Sequence, residues 1–410
     1  MFRRSFWLRS WRTVLASACL IGTSAFVATS QNGAGASSTP YQIGLITTVN
    51  NPNVSLPDYV AADRAAVLAI NKAGGVNGHP LQLDFCDGET EANIEGQCAR
   101  QMVSDKVIAI AGGLWINSPD VDPVLDAAGI SRIGINTLAP SQENDKYYFM
   151  MDPGSTALYQ GDLYGLKERG VKSVYVDVLN EPSFTSSLSQ WSTLGNAIGI
   201  KVLGTAVVPP TATDLTPQAQ QVASSGAQGA IIAASGTTID AFLTAMKTVA
   251  PNVVLADGPV EVSPSNAAQL GAAGQGLIAT APYPPFSDKS DPVVQEYLKQ
   301  LKAEAATGNK YATLHYQDSL DMEGWSAVYA IAKVAEGLKT VNASTVYNGF
   351  KSVHNLSVGA VVDWNPNGPG LPGLSRATYQ TLYPVQVKDG TAYLLKGGSF
   401  NFAKVFKLNS

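Results

Sequence analysis

An α/β fold of two doubly wound parallel-sheet lobes is predicted by three observations. The chain has 410 residues, more than one hydrophobic core usually organises. From residue 41 onward, short apolar strand patterns alternate with helix patterns, the signature of parallel sheets covered on both faces. The same alternation starts afresh after a break at Met151-Asp152-Pro153, so two such layered units are expected.

The elements follow in order. The first strand is expected over 41–49. Asp58 is placed as the cap of a helix running to Lys72, with Ala62, Ala66, Ala69 and Ile70 on one face. Gly74-Gly75 ends that helix, because glycine tolerates the left-handed conformation beyond a helix C-terminus. Strands are expected at 81–85, 107–111 and 132–135, with helices at 91–104 and 119–128. The second run places strands at 173–178, 201–208, 230–233, 253–256 and 276–280. Helices near 155–169, 185–198, 215–225, 237–250 and 264–273 separate them. Pro282-Tyr283-Pro284-Pro285 then reads as a stiff extended connector. Helices around 291–306, 317–338 and 343–353 follow, then a Gly/Pro-rich loop at 365–373. Strands 379–387 and 391–396, joined through Asp389-Gly390, read as a hairpin.

Hydrophobic residues make up 45% of the chain and charged residues 14%, a composition that argues for a packed core and against disorder. The net charge is −5 with no basic stripe, so nucleic acid is not an expected partner. The first residues differ from the rest. Arg3, Arg4, Arg9 and Arg12 precede an apolar run over 14–27, and Gly33-Ala34-Gly35-Ala36 offers a small-residue cleavage site before Ser37. That order predicts a secretory signal peptide over 1–36. The alternative is an uncut anchor, but the run is short for about 30 Å of hydrocarbon. Arg3-Arg4-Ser5-Phe6 faintly resembles a twin-arginine signal. Cys19 follows Ala16-Ser17-Ala18 as in a lipoprotein site, yet the apolar run mostly follows Cys19, so lipid anchoring there is the less favoured reading. The expected location is the periplasm or cell envelope.

Outside the leader only Cys86 and Cys98 remain, and in an exported protein two such cysteines predict one disulfide. A zinc pair lacks partners, since His79, His315 and His354 show no ligand spacing. No metal site and no cofactor are expected.

The segment from Ala69 to Leu81, Ala-Ile-Asn-Lys-Ala-Gly-Gly-Val-Asn-Gly-His-Pro-Leu, resembles the first helix–turn–strand of the type I periplasmic binding proteins of the leucine/isoleucine/valine group. Cys86 and Cys98 stand where many members carry a disulfide, and residues 379–390 resemble the family's closing hairpin. The resemblance spans about 40–405. It implies two lobes joined by three crossing strands, near 150–153, 279–286 and 364–378. Lobe 1 would combine 40–151 with 285–366, and lobe 2 would combine 153–279 with 369–410. It also implies substrate capture for an ABC importer, with a permease and ATPase complex as partner and the binding protein a monomer. A ligand sensor signalling to a membrane partner is the alternative, as is a binder of branched-chain or other amino acids.

The ligand would then lie between the lobes at the carboxyl ends of the strands. Amino-acid binders of the family hold the ligand carboxylate with a hydroxyl residue and backbone amides, and the ammonium with an acidic residue. Here Ile116 or Asn117 falls at the serine position and Leu138 at the threonine position, with Ser118 and Thr137 nearby. The acidic position falls on Gly258 or Pro259, with Asp257 and Glu261 close. The α-amino-acid clamp is incomplete in that register, which points to an apolar or aromatic ligand. Trp115 either stacks on it or caps the lobe's core. Phe184 and Tyr283 would complete an apolar cage, Phe184 being equally placed to start a helix core. Asn117, Asn136 and Ser183 would supply hydrogen bonds unless they serve as helix caps, and Ser235 lies at another strand end. No enzyme is expected: there is no G-x-S-x-G elbow, Walker loop or metal cluster. The stretch 271–276 is glycine-rich but precedes a strand. His315, near Tyr316 and Asp318, reads as a capping or surface group.

Overall fold

Apolar strands flanked by helices give two parallel sheets in the computed structural model, which describes residues 38–408 apart from 53, 181, 186, 210–211 and 235–236. The first half runs β1 (Tyr41–Thr47), α1 (Pro57–Lys72), β2 (Leu81–Asp87), α2 (Ala92–Ser104), β3 (Ile110–Ala111), α3 (Ser118–Ala127), β4 (Arg132–Ile133) and β5 (Tyr148–Phe149). Its sheet order is β2-β1-β3-β4-β5, every pair parallel. The winding reverses between β1 and β3, and such a switch point opens a crevice at the strand ends.

The second half repeats the plan. It runs α4 (Ser155–Glu168), β6 (Ser173–Leu179), α5 (Pro182–Thr185), α6 (Gln190–Ile198), β7 (Lys201–Val208), α7 (Thr216–Ser225), β8 (Gly229–Ala233), α8 (Thr237–Val249), β9 (Val254–Ala256), α9 (Pro264–Leu270) and β10 (Ile278–Ala281). The parallel order β7-β6-β8-β9-β10 has its own switch point between β6 and β8.

The chain then returns to the first half as α10 (Pro292–Ala305), α11 (Asp321–Glu336), α12 (Ala343–Ser352), β11 (Leu356–Val358) and β12 (Val361–Trp364). Tyr297, Trp325, Ile331 and Phe350 from these helices share one core with Ile43, Ile133 and Phe149 of the first sheet. It crosses once more to β13 (Thr381–Lys388), β14 (Thr391–Leu394), β15 (Phe400–Asn401) and α13 (Phe402–Phe406). β13 adds antiparallel to β10, and β14 to β13. Asp389 and Gly390, with φ of 50° and 69°, make the primed turn that the right-handed strand twist favours. Three connections, around 150–154, 282–291 and 365–380, therefore join the halves. Residues 38–410 hold together as one compact unit.

Several expectations need correction. Asp58 does not cap α1: Pro57 opens the helix, and the Asp58 carboxyl is buried in the first turn. The single helix expected at 185–198 is two pieces, α5 and α6. β3 and β4 pair over two residues each. β5 and the β11–β12 hairpin were not expected, because two to four residues carry too little periodicity to be read. The Asn77-Gly78 turn has φ of 53° and 82° and closes a Val76–His79 bridge. Cys86 and Cys98 are disulfide-bonded with Cα atoms 5.5 Å apart, tying the end of β2 to the middle of α2.

Candidate ligand cleft

The switch points lie between β1 and β3 in one sheet and between β6 and β8 in the other. At the end of β3 the chain turns through Gly112 and Gly113, with φ of 57° and 92°. A Cβ on Gly112 would stand 2.7 Å from the Gly324 Cα of α11, so glycine is what lets this loop pass beneath the helix. The loop then places Leu114 against the hydrophobic cluster of the second half. Leu56, Tyr59 and Leu320 of the first half reach the same cluster. The halves thus meet through apolar side chains carried by the loop after β1, the first turn of α1 and the approach to α11.

In the second half, Tyr159 of α4 donates its hydroxyl to the Ala234 carbonyl at 3.0 Å. Its ring meets Phe184 edge-on, with centroids 5.2 Å apart. A Cβ on Gly258 would come within 2.6 Å of the Tyr159 ring, so the absence of a side chain at 258 makes room for that ring. Across from them, Asn136 donates from Nδ2 to the Tyr59 hydroxyl at 2.9 Å. Neither Tyr59 nor Tyr159 was singled out from the sequence. Each lies in the first turns of a helix that follows a strand end or crossing, and that placement was the available signal.

The other expected residues divide. Trp115 is a correction as a stacking platform: it is fully buried among Cys98, Ile110 and Val121, and its indole N–H donates to Asp122 Oδ1 at 3.2 Å. Tyr283 is likewise buried in the first half's core, and its hydroxyl donates to the Met151 carbonyl at 2.7 Å. It ties two crossing segments together. Asn117 precedes α3, with its amide N–H on Glu95 Oε2 at 2.7 Å and its side chain on the Thr90 carbonyl at 3.2 Å. Ser118 is the buried first residue of α3. Thr137 is buried and donates to Glu143 Oε1 at 3.2 Å. Ser235 and the side chain of Ser183 lie outside the described residues.

Buried carboxyls surround the meeting of the halves. Burial and the nearby Asp240 raise Glu261 to about 7. Burial, then Glu261, raises Asp257 well above its ordinary value. Asp257 Oδ1 accepts the Gly258 amide at 2.6 Å, while Oδ2 has no partner. On the first half, burial raises Asp58 to about 7, with Asp318 adding to it, and burial raises Asp318 to about 6.

Three cavities draw their walls from both halves. One of about 520 Å³ is lined by Leu138, Glu143, Ser155, Gln190 and Leu374, among others. One of about 310 Å³ is lined by Ser55, Asp58, Asp318 and Tyr316 facing Val260 and Ser263. A third, of about 340 Å³, lies between Pro284, Phe286, Pro259 and Tyr393. None of the site residues expected from the sequence lines these three, whereas Leu138 does.

This plan of two linked sheets with a cleft at their strand ends has close relatives. The sequence profile of the periplasmic binding protein family matches residues 40–392. The chain belongs to that family. Within it, the architecture is that of the type I binding proteins of the leucine/isoleucine/valine group. No curated protein matches this binding protein by sequence. Among solved structures it is similar to a leucine-, isoleucine-, valine-, threonine- and alanine-binding protein from Brucella ovis in a closed conformation, with 15% identity and a TM-score of 0.72 over 90% of this chain and 97% of that one. It is also similar to an ABC-transporter solute-binding protein from R. palustris in complex with 4-hydroxybenzoate, with 19% identity, TM-score 0.71, and 88% and 97% of the chains covered. A solute-binding protein from Rhodopseudomonas palustris HaA2 in complex with p-hydroxybenzoic acid shows 20% identity, TM-score 0.70, and coverage of 88% and 97%. These likenesses are of fold. Among the described residues, no helix is long and apolar enough to cross a membrane.

Proposed function

We propose that this binding protein is exported, captures a small ligand with an apolar or aromatic body between two lobes, and delivers it to the permease and ATPase complex of an ABC importer. In this reading the lobes are 40–151 with 285–366 and 153–279 with 369–410, the leader 1–36 is removed after Ala36, and the role is binding without catalysis. The observation that carries the ligand class is the aromatic wall of Tyr159 and Phe184 at the strand ends, with Gly258 where an acidic clamp would otherwise project. Aromatic surfaces of this kind stack on flat ligands with a gain of about 0.5–1.5 kcal/mol beyond area burial. The polar candidates of this reading are Asn117, Ser118, Asn136, Thr137 and Glu261, with Ser183 and Ser235 carried from the sequence alone.

The 4-hydroxybenzoate held by two similar structures supports an aromatic ligand. Burial holds the carboxyls of Asp58, Asp257, Glu261 and Asp318 toward their protonated forms, so near neutral pH they repel an anionic ligand less than four full carboxylate charges would. Calorimetric titration with 4-hydroxybenzoate, 4-hydroxybenzyl alcohol, tyramine, leucine and valine separates these effects. We expect an aromatic compound to bind, and Tyr159→Ala to weaken it at least about tenfold. Tight binding of leucine or valine with no aromatic binding would overturn the ligand class.

A further inference from the structure

The cavity of about 310 Å³ between the halves has an acidic floor that the ligand reading does not use. Asp58, from the first turn of α1, and Asp318, from the approach to α11, line it, and Asp321, the first residue of α11, stands beside them without lining it. All three are buried. The approach to α11 is braced by its own backbone: Asp318 Oδ1 accepts the Leu320 and Asp321 amides at 2.6 and 3.3 Å, and Asp321 Oδ2 accepts the Asp318 amide at 2.7 Å. Those bonds fix the two carboxylates and leave a second oxygen on each. Asp321 Oδ1 is buried with no N–H or hydroxyl donor on it, and the Asp321 carboxyl lies against that of Asp58. One oxygen from each of the three residues lies within 4.8 Å of the others, the span that two oxygens cover across one ion bound at about 2.4 Å. Among the described residues, no ion pair neutralises them. Ser55, Tyr311 and Tyr316 line the same cavity, leaving room for water.

We propose that Asp58, Asp318 and Asp321 form a calcium-binding site on the cleft wall, with water and the lining hydroxyls completing the coordination. Ca²⁺ accepts six to eight oxygen ligands in flexible geometry, whereas Mg²⁺ demands a near-ideal octahedron and dehydrates reluctantly. A site built of three carboxylates beside an open cavity suits the larger ion. Val260, Ser263 and Asn266 of the second half face it across the cavity, so the ion sits where the two halves meet.

The test is titration of the chelator-treated full chain with CaCl₂ by calorimetry, and with Tb³⁺ by luminescence sensitised through the neighbouring tyrosines. No organic ligand is present, so its outcome is independent of the ligand reading. We expect one saturable site with a Kd of about 10⁻⁴–10⁻³ M, as in extracellular calcium modules. Asp321→Asn and Asp58→Asn, each confirmed folded by circular dichroism, weaken it at least about tenfold. Asp177→Asn, which alters a buried acid of the other sheet, leaves it unchanged. The proposal is overturned if the folded wild-type chain binds neither ion saturably. Binding that survives both triad variants, or that Asp177→Asn abolishes equally, overturns it too.

Discussion

Trp115 and Asp177 show opposite ways in which a residue's meaning depends on its surroundings. An indole after a strand end and two glycines suits a stacking platform as well as a core cap, and Asp122 and the α2–α3 core claim it. Asp177 sits mid-strand in β6, fully buried, with both carboxylate oxygens unpartnered. Burial raises it to about 7. A carboxyl whose folded pKa is raised keeps its proton in the folded state while the unfolded chain, near 3.8, releases it. This group's contribution is therefore full at low pH and declines from about pH 4 to about pH 7, by at most about 1.4 kcal/mol per pH unit. Asp177→Asn is expected to flatten that part of the stability profile and to melt higher than the wild type at pH 8. Urea denaturation at several pH values checks it, and an unchanged slope would refute the assignment.

Among the elements, those with full periods were legible and those held by neighbours were not. β7 and α8 stand within a residue or so of their expected positions, because apolar repetition over eight or more residues specifies both type and face. β5 is Tyr148-Phe149 alone, and only its pairing with β4 makes it a strand. Helix α1 begins at Pro57, so the acidic residue that resembled a cap became a buried group of the cleft wall. The Cys86–Cys98 bridge joins β2 to α2 across a short loop. Reduction, or replacement of both cysteines by serine, is expected to cost about 3 kcal/mol in the chain-entropy account. The midpoint of urea unfolding should fall accordingly while far-UV circular dichroism of the native state stays the same.

For the whole molecule, the decisive feature is that the halves share an apolar cluster. Met150, at the first crossing, packs with Tyr59 and Leu320 of the first half and with Leu158 and Trp191 of the second. Tryptophans report on both, with Trp325 and Trp364 in one core and Trp191 in the other. Unfolding should therefore be a single transition in which tryptophan fluorescence and circular dichroism coincide. Met150→Ala, a cavity-forming change worth about 2–5 kcal/mol, is expected to separate the two signals. Coincident curves in that variant would show that the shared cluster does not couple the halves.

The sequence by itself determined the α/β class, the repeated winding, the closing hairpin and the cysteine pair. These rest on local periodicity, turn chemistry and composition, which need no partner to be read. Only the tertiary structure decided that Trp115 and Tyr283 fill cores and that Tyr159 packs edge-on against Phe184. It also decided that three aspartates, two around the start of α11 and one about 260 residues earlier, converge within reach of one another. The reason is physical: periodicity fixes the face of an element, but what that face meets is set by the order in which strands wind about the switch points.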